Sequence, residues 1–326
     1  PWNMLVVLGD PSLKLNLPMC NVVTDSINGV SITQEMDTIK ALDKVTIKGH
    51  ITNKDGAILT QFNGNIFPSV YDKKVKVVTL RNDPEESEGP FEFELQKNIL
   101  FKGNATVKNG YFEFSFIVPK DINYSYGNGK LSYYARSSNA DGSGYFNEFL
   151  IGGISDNPIT DDKGPDINIF LNSEKFVNGG MTNPDPQLIV KLKDENGINT
   201  TGNGIGHDLI AIIDENTDSQ IILNDFYQAN QDSFNSGIVR YQLEELPVGN
   251  HTLKIRAWDI ANNVSESTLD FTVVSDEKLS IDHVLNYPNP FTTHTEFYFE
   301  HNQPGQVLDI MVQIFTISGK LVKTIH

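Results

Sequence analysis

The sequence holds a single cysteine, Cys20, in 326 residues. That excludes an intrachain disulfide and any metal centre built from cysteines. It does not fix the compartment, because β-domains above about 100 residues bury enough surface to fold without covalent staples. Basic residues are also scarce: 25 Lys plus Arg stand against 42 Asp plus Glu, a net charge of −17. Nucleic acid is thereby excluded as a broad partner, since neutralising phosphates requires a basic face. Apolar runs near the roughly 18 residues that cross a bilayer as a helix are missing, so no spanning helix is expected. The opening Pro1-Trp2-Asn3 is neither an initiator methionine nor a signal peptide, and the sequence is expected to be an excised fragment.

Helical periodicity is the last thing in short supply. Short alternating runs take its place, and they predict antiparallel sheets with one buried and one wet face. Val45, Ile47 and Ile51 alternate with Thr46, Lys48 and His50; Phe112, Phe114, Phe116 and Val118 alternate mostly with polar residues; Leu253, Ile255 and Ala257 alternate with Thr252, Lys254 and Arg256. Asn-Gly or Asp-Gly pairs at 28, 55, 63, 109, 128, 141, 178, 196 and 203 supply tight-turn chemistry. The one helix candidate, Thr33–Asp43, has a poor apolar stripe and reads as a turn or loop.

Two polar stretches, one from Ser155 to Pro165 with Pro158, Gly164 and Pro165, the other Ser275-Asp276-Glu277-Lys278, divide the chain where few core contacts should cross. The predicted fold is all-β with tandem immunoglobulin-like β-sandwich domains. Residues 1–19 form a terminal strand and tail, 20–154 a first sandwich, 155–163 a linker, 164–275 a second sandwich, and 276–326 the start of a further β unit. That last piece is too small to cover its own edges and apolar face. Leu246-Pro247-Val248-Gly249-Asn250 and the strand that follows, closing with Ala257-Trp258-Asp259-Ile260-Ala261-Asn262-Asn263, resemble the final hairpin of bacterial immunoglobulin-like modules, a fold that says nothing about chemistry.

Candidate chemistry is sparse. Cys20 lies in an apolar segment with no histidine closer in sequence than His50, so nothing local would generate a thiolate. The seven histidines lack zinc-motif spacing. No catalytic grouping emerges and no cofactor is expected, calcium being the one candidate. Asp194, Asn196 and Asp208 place oxygen donors on loops of one sandwich, which suits a hard cation; turn formation is the other reading of the same residues. The run Asp83–Glu88 reads as a solvated loop, and Phe91, Phe93, Phe112, Phe114 and Phe116 read as core strands. A carbohydrate-binding sandwich would need solvent-facing aromatics on one sheet face, and a count of tryptophans finds only Trp2 and Trp258.

Three segments carry a family resemblance. Leu5-Val6-Val7-Leu8-Gly9-Asp10-Pro11-Ser12-Leu13-Lys14-Leu15 resembles the last strand of gingipain-type cysteine peptidase domains. Asp194–Asn199 and Gly204–Asp208 are similar to a segment of the PorU-like sortases. Leu285-Asn286-Tyr287-Pro288-Asn289-Pro290-Phe291 and Ile314–Val322 look like the C-terminal part of proteins of the Bacteroidetes type IX secretion system. The resemblance implies the C-terminal region of a cell-surface, outer-membrane-associated cysteine protease that cuts C-terminal secretion signals from cargo and helps pass cargo to a lipopolysaccharide anchor. Its implied partners are type IX outer-membrane components and cargo C-terminal domains. Its Cys–His dyad would lie upstream of Pro1, so no catalytic residue is expected here. The alternative is a secreted type IX cargo or adhesin whose last unit is a transport signal.

Overall fold

The computed structural model describes residues 17–80, 89–201, 206–274, 281–301 and 308–325. The expected strand Leu5–Leu15, the acidic run Asp83–Glu88, the Ser275–Lys278 linker and the Asn203–Ile205 part of one loop lie outside the described residues. Strands account for nearly all the regular structure, with two short 3-10 turns and no α-helix among the described residues. Among the described residues no helix is long and apolar enough to cross a membrane.

The first unit is built from β1 (Cys20–Ile27), β2 (Lys44–Thr52), β3 (Gly64–Tyr71), β4 (Ile99–Lys102), β5 (Ala105–Lys108), β6 (Tyr111–Ile117), β7 (Lys130–Ser137) and β8 (Asp141–Phe146). The hydrogen-bond ladder runs β7-β8-β1-β2-β6-β5-β3 and returns from β3 to β7, with β4 adding to one end of β3. The sandwich therefore closes on itself, which removes the free edges that an open pair of sheets would carry. Only the β1–β8 contact is parallel within this circuit.

Alternation explains the interior. Val45, Ile47, Ile51, Phe112, Phe114 and Phe116 are all buried, as their period of two requires. Phe101 of β4 stacks on Phe116 at 5.0 Å. A Cβ at Gly49, the gap in the β2 pattern, would sit 2.2 Å from the Val23 carbonyl oxygen and 2.4 Å from the Phe112 ring. Asn28-Gly29 (φ 51° and 81°) and Asn109-Gly110 (φ 52° and 79°) are consecutive left-handed pairs, the geometry of tight hairpin turns. Asp141-Gly142 instead opens β8, and Asn63 directly precedes β3.

The second unit comprises β9 (Asp166–Leu171), β10 (Gln187–Lys193), β11 (Ile210–Ile213), β12 (Tyr227–Ala229), β13 (Ser236–Gln242), β14 (Gly249–Trp258) and β15 (Val264–Val273). One sheet runs β9-β10-β13-β12; the other is centred on β15-β14-β11 and flanked by Met181–Thr182 and Ile221–Ile222. Leu188, Val190 and Leu192 face Leu253, Ile255, Ala257 and Phe271 in a separate core. Towards the C-terminus, β16 (Ile281–Tyr287) pairs with β17 (Glu296–His301) and β18 (Val312–Phe315) with β19 (Leu321–Ile325), giving two ribbons with a largely apolar cavity of 420 Å³ between them.

Three expectations need correction. Thr33–Asp43 is not all loop, because Ile39–Ala41 pairs in parallel with Leu150–Ile154 and buries Ile39 and Ala41. Phe91 and Phe93 are not core: they are 68% and 37% exposed beside or on a two-stranded ribbon, Val75–Val78 with Glu92–Leu95. Their alternation is real, but among the described residues no second sheet covers the ribbon, whose Glu92–Leu95 strand is exposed throughout. Core contacts also cross between the units, where Leu42, Ile117 and Ile260 are buried with Ile159 of the linker and Phe234 against them.

Candidate functional site

The chemistry-bearing residues gather where the two units meet, around the turn after β14. Asp259 organises that turn: its Oδ1 accepts from the N–H groups of Ala261 (2.9 Å) and Asn263 (2.6 Å), and its Oδ2 accepts from Asn263 Nδ2 (2.7 Å). The Asp-x-Ala-x-Asn pattern noted in the sequence is thus a self-capped turn, in which a carboxylate replaces the sheet as partner for backbone donors.

Asp194 does the same after β10, its Oδ1 accepting from the N–H groups of Asn196 (2.8 Å) and Gly197 (2.9 Å). The linker's Asp161 accepts from Asn196 Nδ2 at 2.6 Å, and its carbonyl accepts from Asn263 Nδ2 at 3.0 Å. One carboxylate oxygen from each of Asp161, Asp194 and Asp259 lies within 4.8 Å of the others. Asp194 is 7% exposed, and burial, opposed by its two backbone donors and reinforced by the charges of Asp259 and Asp161, pushes its carboxyl up to about 6. Asp259 is raised too, burial again being the first cause. Oxygen donors of this kind can share a proton or take a hard cation.

The sequence-predicted trio is only partly assembled. Asp194 and Asn196 are in the group, but Asp208 is not: it accepts from Asn224 Nδ2 at 3.1 Å. Asp161 and Asp259 were missed because they are distant in sequence from Asp194, one of them in a stretch read as a passive linker.

A few residues along the same turn, Asn262 joins a second polar centre. Asp121, from the first unit, accepts from Asn262 Nδ2 (2.6 Å) on Oδ1 and from Asn199 Nδ2 (3.0 Å) and His207 Nδ1 (2.7 Å) on Oδ2. The His207 ring lies 4.3 Å from that of Trp258, and Lys120 N–H donates to the Ile260 carbonyl at 2.9 Å. At another contact Asp232 of the second unit receives the N–H and hydroxyl of Thr106 at 2.7 and 2.6 Å. Each carboxylate holds donors from the opposite unit, so the pair acts as two clasps across one junction.

Cys20 is buried, and burial, with Asp141 adding to it, pushes its thiol above the usual value. A thiol held neutral in this way is a poor nucleophile. His50, His207 and His251 each bond a single aspartate, namely Asp25, Asp121 and Asp214, at 2.7–2.8 Å.

No family model matches the chain, and no curated protein matches it. Among solved structures, that of dimeric latent PorU from Porphyromonas gingivalis is 34% identical, aligned over 97% of this chain and 30% of that chain, with a TM-score of 0.48. The fibronectin(III)-like modules of Clostridium thermocellum CbhA align over 78% of this chain and 95% of theirs at 10% identity, with a TM-score of 0.21. The chain spans about a third of the PorU chain it matches, and the 34% identity across nearly all of its own length supports a PorU-like relationship.

Proposed function

We propose that this chain is the non-catalytic β region of a PorU-like, gingipain-type cysteine protease at the cell surface, a sortase that removes C-terminal signals from type IX secretion cargo. The similarity to PorU over nearly the whole chain carries this reading. In it, the two cores form an arm that positions the peptidase and docks outer-membrane secretion components or cargo C-terminal domains. The clasps at Asp121 and Asp232 favour an arm that holds its angle, because each carboxylate is fixed by donors from the opposite unit and the Asp121 side chain is only 9% exposed. The closed ladder of the first unit offers little free edge, so strand-type docking falls to the second unit and the C-terminal ribbons.

The test is removal of the gene from its host, followed by mass spectrometry of several unrelated exported proteins. A sortase predicts that these retain their C-terminal signals. Normal processing of all of them would reject the reading and leave a type IX cargo or adhesin, whose loss affects its own activity alone.

A further inference from the structure

We propose that Asp161, Asp194 and Asp259 hold a calcium ion that fastens the linker to the second unit. The site is separate from the docking role above and rests on its own residues. Each aspartate brings one carboxylate oxygen to within 4.8 Å of the other two, a spread that bonds of roughly 2.3–2.6 Å reach from one point. Asp194 and Asp259 are buried, at 7% and 0% exposed. Among the described residues no salt bridge reaches any of the three. Lys163, close to Asp161 in the linker, pairs instead with Asp166 at 3.4 Å. Clustered carboxylates with no protein counter-charge are costly to bury, and a cation removes that cost.

A second, independent observation lies behind the cluster. Tyr227 of β12 is 6% exposed, and its buried hydroxyl has no hydrogen-bond partner in the protein. Register gives its direction. Tyr227 pairs with Val239 of β13, and its ring lies over Gly237, where an added Cβ would stand 2.5 Å from the phenol oxygen. Gly237 in turn pairs with Leu192 of β10, and Asp194 follows Leu192 by two residues on the same inward side. The Asp194 N–H donates to the Asn235 carbonyl at 2.8 Å, which keeps that end of β10 against β13. The phenol thus reaches along the inner side toward Asp194, whose charge adds to burial in holding the phenol proton on. A neutral hydroxyl aimed at this cluster and bonded to nothing there fits a water ligand of the ion: calcium takes six to eight oxygens, commonly including water, and such a water donates to the phenol oxygen.

The donor set selects the metal. Asn196 Nδ2 stands 2.6 Å from the Asp161 carboxylate and Asn263 Nδ2 2.7 Å from that of Asp259. A half-turn of either amide puts its oxygen where its nitrogen was, so both can join the three carboxylates as ligands. Oxygen-only sites favour hard cations over zinc or copper. Magnesium demands a near-ideal octahedron at roughly 2.0–2.1 Å and gives up water reluctantly, so this looser set of loop donors suits calcium better. Entry is through a 330 Å³ cavity lined by Asp161, Asp166, Asp194 and Glu195 with Lys163 and Lys193, a formal balance of 2 − 4 = −2 that draws cations. Asp161 belongs to the linker, while Asp194 follows β10 of one sheet and Asp259 follows β14 of the other. One ion therefore ties the linker to both sheets, close in sequence to Ile159 and Ile260 of the junction cluster.

The experiment is isothermal titration calorimetry of the full chain, stripped with EDTA and dialysed, against calcium chloride or magnesium chloride in about 0.15 M sodium chloride, which screens diffuse attraction to an acidic surface. One saturable calcium site is expected, with magnesium weaker, and saturating calcium should raise the melting temperature above that of the stripped chain, which is the reference state of the bare carboxylates. Asp161→Asn, which keeps the shape of a linker side chain and removes one charge, should lose more than about tenfold in calcium affinity. Tyr227→Phe should lose about tenfold, the scale of an outer-shell partner, while melting no lower than the parent in EDTA, because the hydroxyl it removes has no protein partner. Asp208→Asn, outside the cluster, should bind as the parent. No saturable calcium heat in the parent, equal or tighter binding of magnesium, or parent-like calcium affinity in Asp161→Asn or Tyr227→Phe would overturn the proposal.

Discussion

Asp194 is the residue whose environment makes the sharpest prediction. Its folded pKa of about 6 lies above the ordinary 3.8, so the folded state holds the proton more tightly than the unfolded chain. Stability is therefore full below about pH 4, falls as pH rises from the unfolded value to the folded one, and is flat above. The difference is on the order of 3 kcal/mol. Asp194→Asn retains a side-chain oxygen to accept from Asn196 and Gly197 while removing the charge. Melting curves should show the variant several degrees more stable than the parent at pH 8, with the gain gone at pH 4. An unchanged gap across that range would exclude ionisation of Asp194 as the cause. Sequence reading selected Asp194 through its donor type, but its perturbing neighbours came from Asp161 and Asp259, which only folding brings near.

The strands divide into those that face a second layer and those that do not, and identical patterns have different consequences in each. Phe116 is 1% exposed in the first core and stacks on Phe101, whereas Phe93 is 37% exposed on a two-stranded ribbon that no other described sheet covers. Chemical denaturation should therefore show Phe116→Ala costing roughly 3–5 kcal/mol and Phe93→Ala within about 0.5 kcal/mol of the parent. Equal losses would mean that the ribbon packs in solution. The alternation of Val45, Ile47 and Ile51 and of Leu253, Ile255 and Ala257 was legible because a period of two leaves only one choice of buried side. The turn pairs were legible in part: Asn28-Gly29 and Asn109-Gly110 have the left-handed geometry their composition favours, while Asp141-Gly142 entered a strand because β8 pairs on both sides.

Across the whole molecule, the two cores are coupled mainly through polar contacts at Asp121 and Asp232 and the small cluster around Ile117 and Ile260. Asp121→Ala removes the acceptor of three side-chain donors and leaves Asn199, His207 and Asn262 short of partners. Scanning calorimetry is expected to show the parent melting in one coupled transition and the variant in two, with the loss concentrated at the junction. A single unshifted peak for Asp121→Ala would reject the clasp.

By itself the sequence determined that this is an all-β protein with at least two cores, that no disulfide braces it, and that its surface is acidic. These properties are local or additive: alternation fixes which side of a strand is apolar, and composition fixes charge. Only the tertiary structure decided that the first ladder closes, that Asp161, Asp194 and Asp259 share a site in place of Asp208, and which aromatics remain in water. Each of those depends on pairing between segments tens to more than a hundred residues apart, and pairing register is set by the packing of the whole rather than by any one stretch of chain.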